Sequence, residues 1–344
     1  MGSSIDSDSR SFKDADQDQH NSRRMQIMGY ETNHYKSFAS QVSPQMSTVE
    51  AQSLSYASSL EIATFYVVAD TPYSASDASR LLYQMQNIQP DADFVVHLGD
   101  IRNAEGYPTC MQSEYQTASE ILRQSWAPVF VNVGDNEWNN CPNPSEGWSY
   151  WSEEFMHFYD KYWSSKFSVT TLTGRQENYS FRWKGTLFIG VDLPGGPYLN
   201  WYSWVQQLTD EVNWVMGLIQ EYKSDMNGMG YVGQVVIFAH ADPTSIHKPF
   251  FDPLVAFIRD VLQNGIPILY MNGDGHYWKY EPYFFGQPSF LRIMSTAETS
   301  NPPLKVTIES GYTRLHPPSY IFQYDREPNI YGADSYLAIT NYTT

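Results

Sequence analysis

Ile62-Ala63-Thr64-Phe65-Tyr66-Val67-Val68-Ala69 is a β-branched and aromatic run that stops abruptly at Asp70-Thr71-Pro72. An unbroken run of this kind, closed by a turn signal, reads as a buried strand that delivers a carboxylate to a loop. The device recurs downstream. Asp93-Phe94-Val95-Val96-His97-Leu98 runs into Gly99-Asp100, and Pro128-Val129-Phe130-Val131-Asn132-Val133 runs into Gly134-Asp135-Asn136-Glu137. Helical patterns over Ser76–Asn87 and Glu114–Gln124 separate the three runs, and strand alternating with helix predicts a parallel sheet with helical crossovers. Ligands of open α/β sheets sit at the carboxyl ends of the strands, so three carboxylates are expected at one edge.

Further along the chain, an aromatic-rich insertion covers Trp148–Trp163. Tyr179–Lys184 and Thr186–Val191 read as an antiparallel pair turning at Gly185, followed by a helix over Trp201–Glu221. Gln234–Ala239 leads to His240, and Ile266–Met271 leads to Asn272-Gly273-Asp274-Gly275-His276. Leu304–Ile308 and Ile321–Tyr324 read as a further antiparallel sheet. Taken singly, an Asp after a strand often caps a helix, and a strand-end His is often a hydrogen-bonded core residue. Jointly, Asp70, Asp100, Asp135 or Asn136, His240, Asp274 and His276 occupy five strand ends that such a fold gathers at one edge. Carboxylates so gathered repel one another unless cations neutralise them, which points to a metal site.

The 344 residues carry 21 Lys and Arg against 38 Asp and Glu, a net charge of −17 with pI near 4.7. No basic field is available to replace the counterions around nucleic-acid phosphates, so no nucleic-acid-binding surface is expected. No apolar run is long enough for a transmembrane helix. Residues 1–60 hold 14 Ser and no sustained apolar period, and read as a disordered polar tail ahead of a domain over 61–325 and a C-terminal tail over 326–344. Cys110 and Cys141 follow Asp100 and Asp135 by ten and six residues, on two loops of the same sheet edge, and are expected to pair. That pairing and the sequons at Asn178 and Asn341 favour an oxidising, exported setting; no apolar leader marks a secretory signal.

In order and spacing, these motifs resemble the calcineurin-like metallophosphoesterase superfamily, whose signatures run Asp-x-His, Gly-Asp, Gly-Asn-His-Asp/Glu, a lone His and Gly-His-x-His. Asp70-Thr71-Pro72, Gly99-Asp100, Gly134-Asp135-Asn136-Glu137, His240 and Gly273-Asp274-Gly275-His276 stand at the five places. Three positions depart. Pro72 replaces a metal-binding His, Asn136 replaces the His that contacts phosphate and donates a proton, and Asp274 replaces the first His of the last motif.

The resemblance implies an α/β fold: a mixed β-sandwich flanked by helices in four layers, α/β/β/α. It implies two divalent metal ions bridged by Asp100, with Asp70 and His276 on one ion and Asp135 or Asn136, His240 and Asp274 on the other. Such a pair holds phosphoryl oxygens and activates a water. Oxygen-rich ligation moves the expected metal from zinc toward manganese, magnesium or iron. Arg102 and Tyr73 are candidates for holding phosphate oxygens, and His97 for a supporting role. The expected partner is a small-molecule or macromolecular phosphoester, in a pocket shaped by residues 147–176 and 194–201. The alternative is a non-catalytic metal- or ligand-binding protein on the same fold, favoured by the two missing histidines.

Overall fold

The alternation of β1 (Ile62–Val68) explains why both of its faces are apolar: Ala63, Phe65 and Val67 enter one core, while Tyr66 and Val68 enter another. The computed structural model describes residues 61–104, 110–164, 166–196, 200–227, 233–295, 302–309 and 321–328. The expected tail over 1–60, all but the first three residues of that over 326–344, and the Asn341 sequon lie outside these residues. After β1 come α1 (Ala75–Gln86), β2 (Phe94–His97), α2 (Gln112–Leu122), β3 (Val129–Val131), α3 (Pro144–Phe155) and the short α4 (Phe158–Lys161). Then follow β4 (Thr170–Leu172), β5 (Arg175–Trp183), β6 (Thr186–Gly190), α5 (Trp201–Asn227), β7 (Gln234–Phe238) and α6 (Lys248–Ala256). The chain closes with β8 (Ile268–Asn272), β9 (Lys279–Glu281), β10 (Phe290–Met294), β11 (Leu304–Glu309) and β12 (Phe322–Asp325).

Two mixed sheets form. One has the order β12-β11-β1-β2-β3 and the other β4-β5-β6-β7-β8-β10-β9. β1, β2 and β3 are parallel, as are β6, β7, β8 and β10, so their carboxyl ends lie together within each sheet. Between the sheets the core is largely phenylalanine, with Phe65, Phe94 and Phe130 meeting Phe181, Phe188 and Phe238. Phe94 stacks on Phe65 at 5.0 Å and takes edge contacts from Phe188 at 5.1 Å and Phe181 at 5.3 Å. On the outer face of the first sheet pack α1, α2 and α3; on that of the second pack α5 and α6. The expected α/β/β/α layering is therefore present.

Three sequence expectations need correction. Leu304–Ile308 and Ile321–Tyr324 do not form a separate sheet: β11 pairs antiparallel with β1, and β12 pairs with β11. Strand periodicity is local, whereas the choice of partner depends on which sheet edge is open, a property of the whole fold. The aromatic insertion is not chiefly a pocket wall, because Trp151, Phe155 and Phe158 are buried over the first sheet. Asn178 is fully buried on β5, where its Oδ1 accepts from the Asp192 backbone N–H at 2.8 Å, so this sequon gives a glycan no access in the folded chain. The expected cysteine pairing is present: Cys110 and Cys141 form a disulfide with Cα atoms 5.7 Å apart.

Candidate metal centre

Three of the strand ends turn sharply at an acidic residue. Asp70 (φ 54°), Asp100 (φ 60°), Asp274 (φ 64°) and His276 (φ 57°) all take left-handed backbone, where a residue with a Cβ is strained. The turns swing side chains from both sheets toward a common point. Cross-links between the sheets hold that point: the Asp274 N–H donates to Asp70 Oδ1 at 3.0 Å, and His240 Nδ1–H donates to the Leu98 carbonyl at 3.0 Å. Asn132 extends the seam, its amide donating to the Val191 and Phe238 carbonyls while Tyr179 donates to its Oδ1.

Two groups of metal-competent side chains result, and they share one residue. Asp70, Asp100 and His276 form one; Asp100, Asp135 and His240 form the other, with ligand atoms in each group within 4.8 Å of one another. His240 Nε2 lies 3.1 Å from Asp135 Oδ1 and 3.3 Å from Asp100 Oδ1, while His276 Nε2 lies 3.6 Å from Asp70 Oδ1. Asp274 stands off from both groups, 3.9 Å from His240, with Oδ2 accepting from the Asp242 N–H.

Burial pushes the Asp100 carboxyl well above its usual value, with Glu137, Asp135 and Asp70 adding to the effect and His240 opposing it. Burial also opposes charge on His240, but Asp100, the Asp135 hydrogen bond and Asp70 hold its imidazole well above the usual range. The surrounding carboxylates therefore favour positive charge at this point. A divalent cation meets the same requirement, and one oxygen is already orphaned for it: Asp70 Oδ2 is buried without a hydrogen-bond partner. Carboxylates plus imidazole nitrogens are a fitting donor set for such an ion.

The neighbouring residues sort differently from their sequence positions. Tyr73 donates to Asp100 Oδ2 at 2.9 Å and so orients the shared carboxylate. Arg102 is not an open phosphate-holding group: it is 2% exposed, with Nε on Glu114 at 3.1 Å and Nη1 on the Asn136 carbonyl at 2.8 Å. Asn136 spends its amide on the loop. Its Nδ2 donates to the Arg102 carbonyl and the Tyr73 hydroxyl, and its Oδ1 accepts from Asn140, while Asp135 carries the carboxylate that faces His240. His247 is buried and committed, with Nε2 donating to the Pro194 carbonyl and Nδ1 accepting from the Thr244 N–H.

Two contributors, Glu137 and Asn140, were not assigned from sequence, and His97, a candidate there for a supporting role, joins them. His97 accepts from the Gly99 N–H on Nδ1 and donates from Nε2 to the Thr71 carbonyl, pinning the Asp70 and Asp100 turns together. Burial lowers its pKa to about 4, so it works as a neutral clamp. Glu137 lies beneath the centre, accepting from the Ile101 N–H at 2.8 Å, and burial raises its carboxyl to about 7. Its place as the last letter of the third motif was the available signal. Asn140 donates to Asp135 Oδ2 at 2.5 Å, and nothing local announces it. Gly195 and Gly196 form a close rim, where an added Cβ would stand 2.9 Å from Asp274 Oδ2 and 2.8 Å from Asp135 Oδ2.

The profile of the calcineurin-like phosphoesterases matches residues 63–276, which takes in every one of these side chains. No curated protein sequence matches the chain. Among solved structures, GAP50, the anchor in the inner membrane complex of Plasmodium, aligns at a TM-score of 0.39 with 13% identity, over 78% of this chain and 79% of that one. The Thermus thermophilus protein TT1561 aligns at 0.41 with 11% identity, over 78% and 99%. A cold-active protein-tyrosine phosphatase of a psychrophilic Shewanella aligns at 0.29 with 13% identity, over 73% and 76%.

Proposed function

We propose, because the chain belongs to the calcineurin-like phosphoesterase family, that it is a metal-dependent phosphoesterase whose centre takes two divalent ions. The observation that carries this reading is the sharing of Asp100 by two ligand groups, each drawing on both sheets. Asp70 and His276 would serve one ion, Asp135 and His240 the other, with Asp274 the reserve ligand at the rim. Bound divalent ions supply charge for the phosphoryl oxygens and a water acidic enough to act near neutral pH.

The chain's own groups supply position. Tyr73 and the Asn136 N–H hold the two oxygens of Asp100, Asn140 holds Asp135, and His97 keeps both turns in register. Neither Asn136 nor His97 nor His247 is free to supply a proton to the leaving oxygen. Asn136 has none to release near neutral pH, and both nitrogens of His97 and His247 are engaged. Phosphoesters with good leaving groups are therefore the favoured substrates.

Pro72 and Asn136 also support a second reading, a protein that binds metal or ligand without turnover. Metal analysis of the purified full chain, followed by hydrolysis of an aryl phosphomonoester and an aryl phosphodiester with added manganese, separates the two. Two ions per chain and turnover that is lost in Asp100→Asn support the enzyme; two ions and no turnover on either ester support the binding protein.

A further inference from the structure

A third acidic cluster lies outside the Asp100 centre. Glu177 on β5, Asp192 two residues beyond β6 and Glu211 on α5 bring ligand oxygens within 4.8 Å of one another. Asp192 is 3% exposed and Glu211 fully buried, yet Asp192 Oδ1 and Glu211 Oε2 have no hydrogen-bond partner. Little around them offsets the charge. Asn178 reaches Glu211 Oε1 at 3.4 Å, Gln207 lies against Asp192, and Arg175 is the guanidinium whose field acts on all three while itself 3.4 Å from Asp210. Burial is the chief reason that each of the three carboxyls sits above its ordinary value, with Glu177, Asp192 and Glu137 adding repulsion from their sides.

Such a cluster must take up protons or a cation, and its composition distinguishes among cations. It offers carboxylate oxygen alone, with no imidazole or thiol, which suits a hard ion. Ligand oxygens within 4.8 Å of one another fit the roughly 5 Å span of opposed calcium ligands, and calcium accepts irregular carboxylate shells where magnesium demands a near-ideal octahedron. We propose that Glu177, Asp192 and Glu211 hold a calcium ion, at a site separate from the phosphoesterase centre. Glu177, partly exposed, gives the ion its way in. The ion ties β5, the end of β6 and α5 together, and Asp192 leads within four residues to Gly195 and Gly196, the rim that closes on Asp274 and Asp135. The site needs no catalytic activity and does not rest on the phosphoesterase reading.

The test uses the full chain stripped with chelator, as wild type, Asp100→Asn, Asp192→Asn and Glu211→Gln. Calcium binding is followed by isothermal titration and by melting temperature. One calcium per chain in Asp100→Asn, with melting raised by about 5 °C at a hundredfold excess over the dissociation constant, supports the site when both effects vanish in Asp192→Asn and Glu211→Gln. If either of those two fails to fold, Glu177→Gln takes its place. An unchanged isotherm in the triad variants overturns the proposal. So does a wild type indifferent to calcium whose Glu211→Gln variant melts higher in chelator, since the cluster then shares protons instead.

Discussion

The Asp100 centre and the Glu177, Asp192 and Glu211 cluster are both buried and acidic, but the first comes with far more of its own donors. Asp100 receives the Tyr73 hydroxyl and the Asn136 N–H, Asp135 receives Asn140, Asp70 receives the Asp274 N–H, and two imidazoles complete the group. At the second cluster, Asp192 Oδ1 and Glu211 Oε2 face no donor at all. A site whose ligands are already oriented can lose and regain its ions without rebuilding. One left with bare carboxylates depends on its occupant for its shape.

The largest break in that comparison comes from Asp100→Asn. Removing the carboxylate that serves both ligand groups should abolish divalent binding at the centre and take hydrolysis to the uncatalysed background, with the calcium response of the other cluster intact. Atomic absorption and calorimetry on one preparation read both. The second effect is chemical. With Asn136, His97 and His247 unable to protonate a leaving alkoxide, aryl phosphoesters should outpace alkyl ones by about 10²- to 10⁴-fold, the usual worth of a general acid. Comparable rates, with a titrating acid in the pH profile, would show that a proton donor has been overlooked.

Smaller effects sharpen the contrast. Tyr73→Phe removes one donor from Asp100 and should weaken metal affinity by about 10- to 100-fold while leaving melting in chelator near wild type. The second cluster predicts a pH effect instead. Its carboxyls are raised in the folded chain, so the unfolded chain loses its protons first. Stability of the chelated protein is thus full below the ordinary carboxylate range and falls as pH rises through the raised values, by about 1.4 kcal/mol per pH unit for each proton involved. Glu211→Gln or saturating calcium should flatten the fall, as thermal melts from pH 4 to 8 would reveal.

The strand ends were legible because their signal is local: an apolar run stopped by Asp70, Asp100, Asp135, His240 or Asp274 is visible within ten residues. Roles that depend on approach across the fold were not. Arg102 stands two residues from Asp100, which suggests a phosphate contact, but Glu114 and the Asn136 carbonyl claim its guanidinium. His97, inside a strand, becomes a clamp only because the Thr71 carbonyl returns beside it. Glu177 and Glu211 look like ordinary surface acids until β5 and α5 are packed together. The edge of β1 that accepts β11 has no mark in either strand's pattern.

The left-handed turns at Asp70, Asp100, Asp274 and His276 also bear on how such a sequence can change over generations. Each non-glycine residue held there costs on the order of 1 kcal/mol that glycine would recover. Relief of that strain is one pull toward glycine at these positions; loss of the bonds from the Asp274 N–H to Asp70 and from Tyr73 and the Asn136 N–H to Asp100 opposes it. In a descendant whose centre holds no ion, glycine at these places would mark that loss more directly than any change in the core.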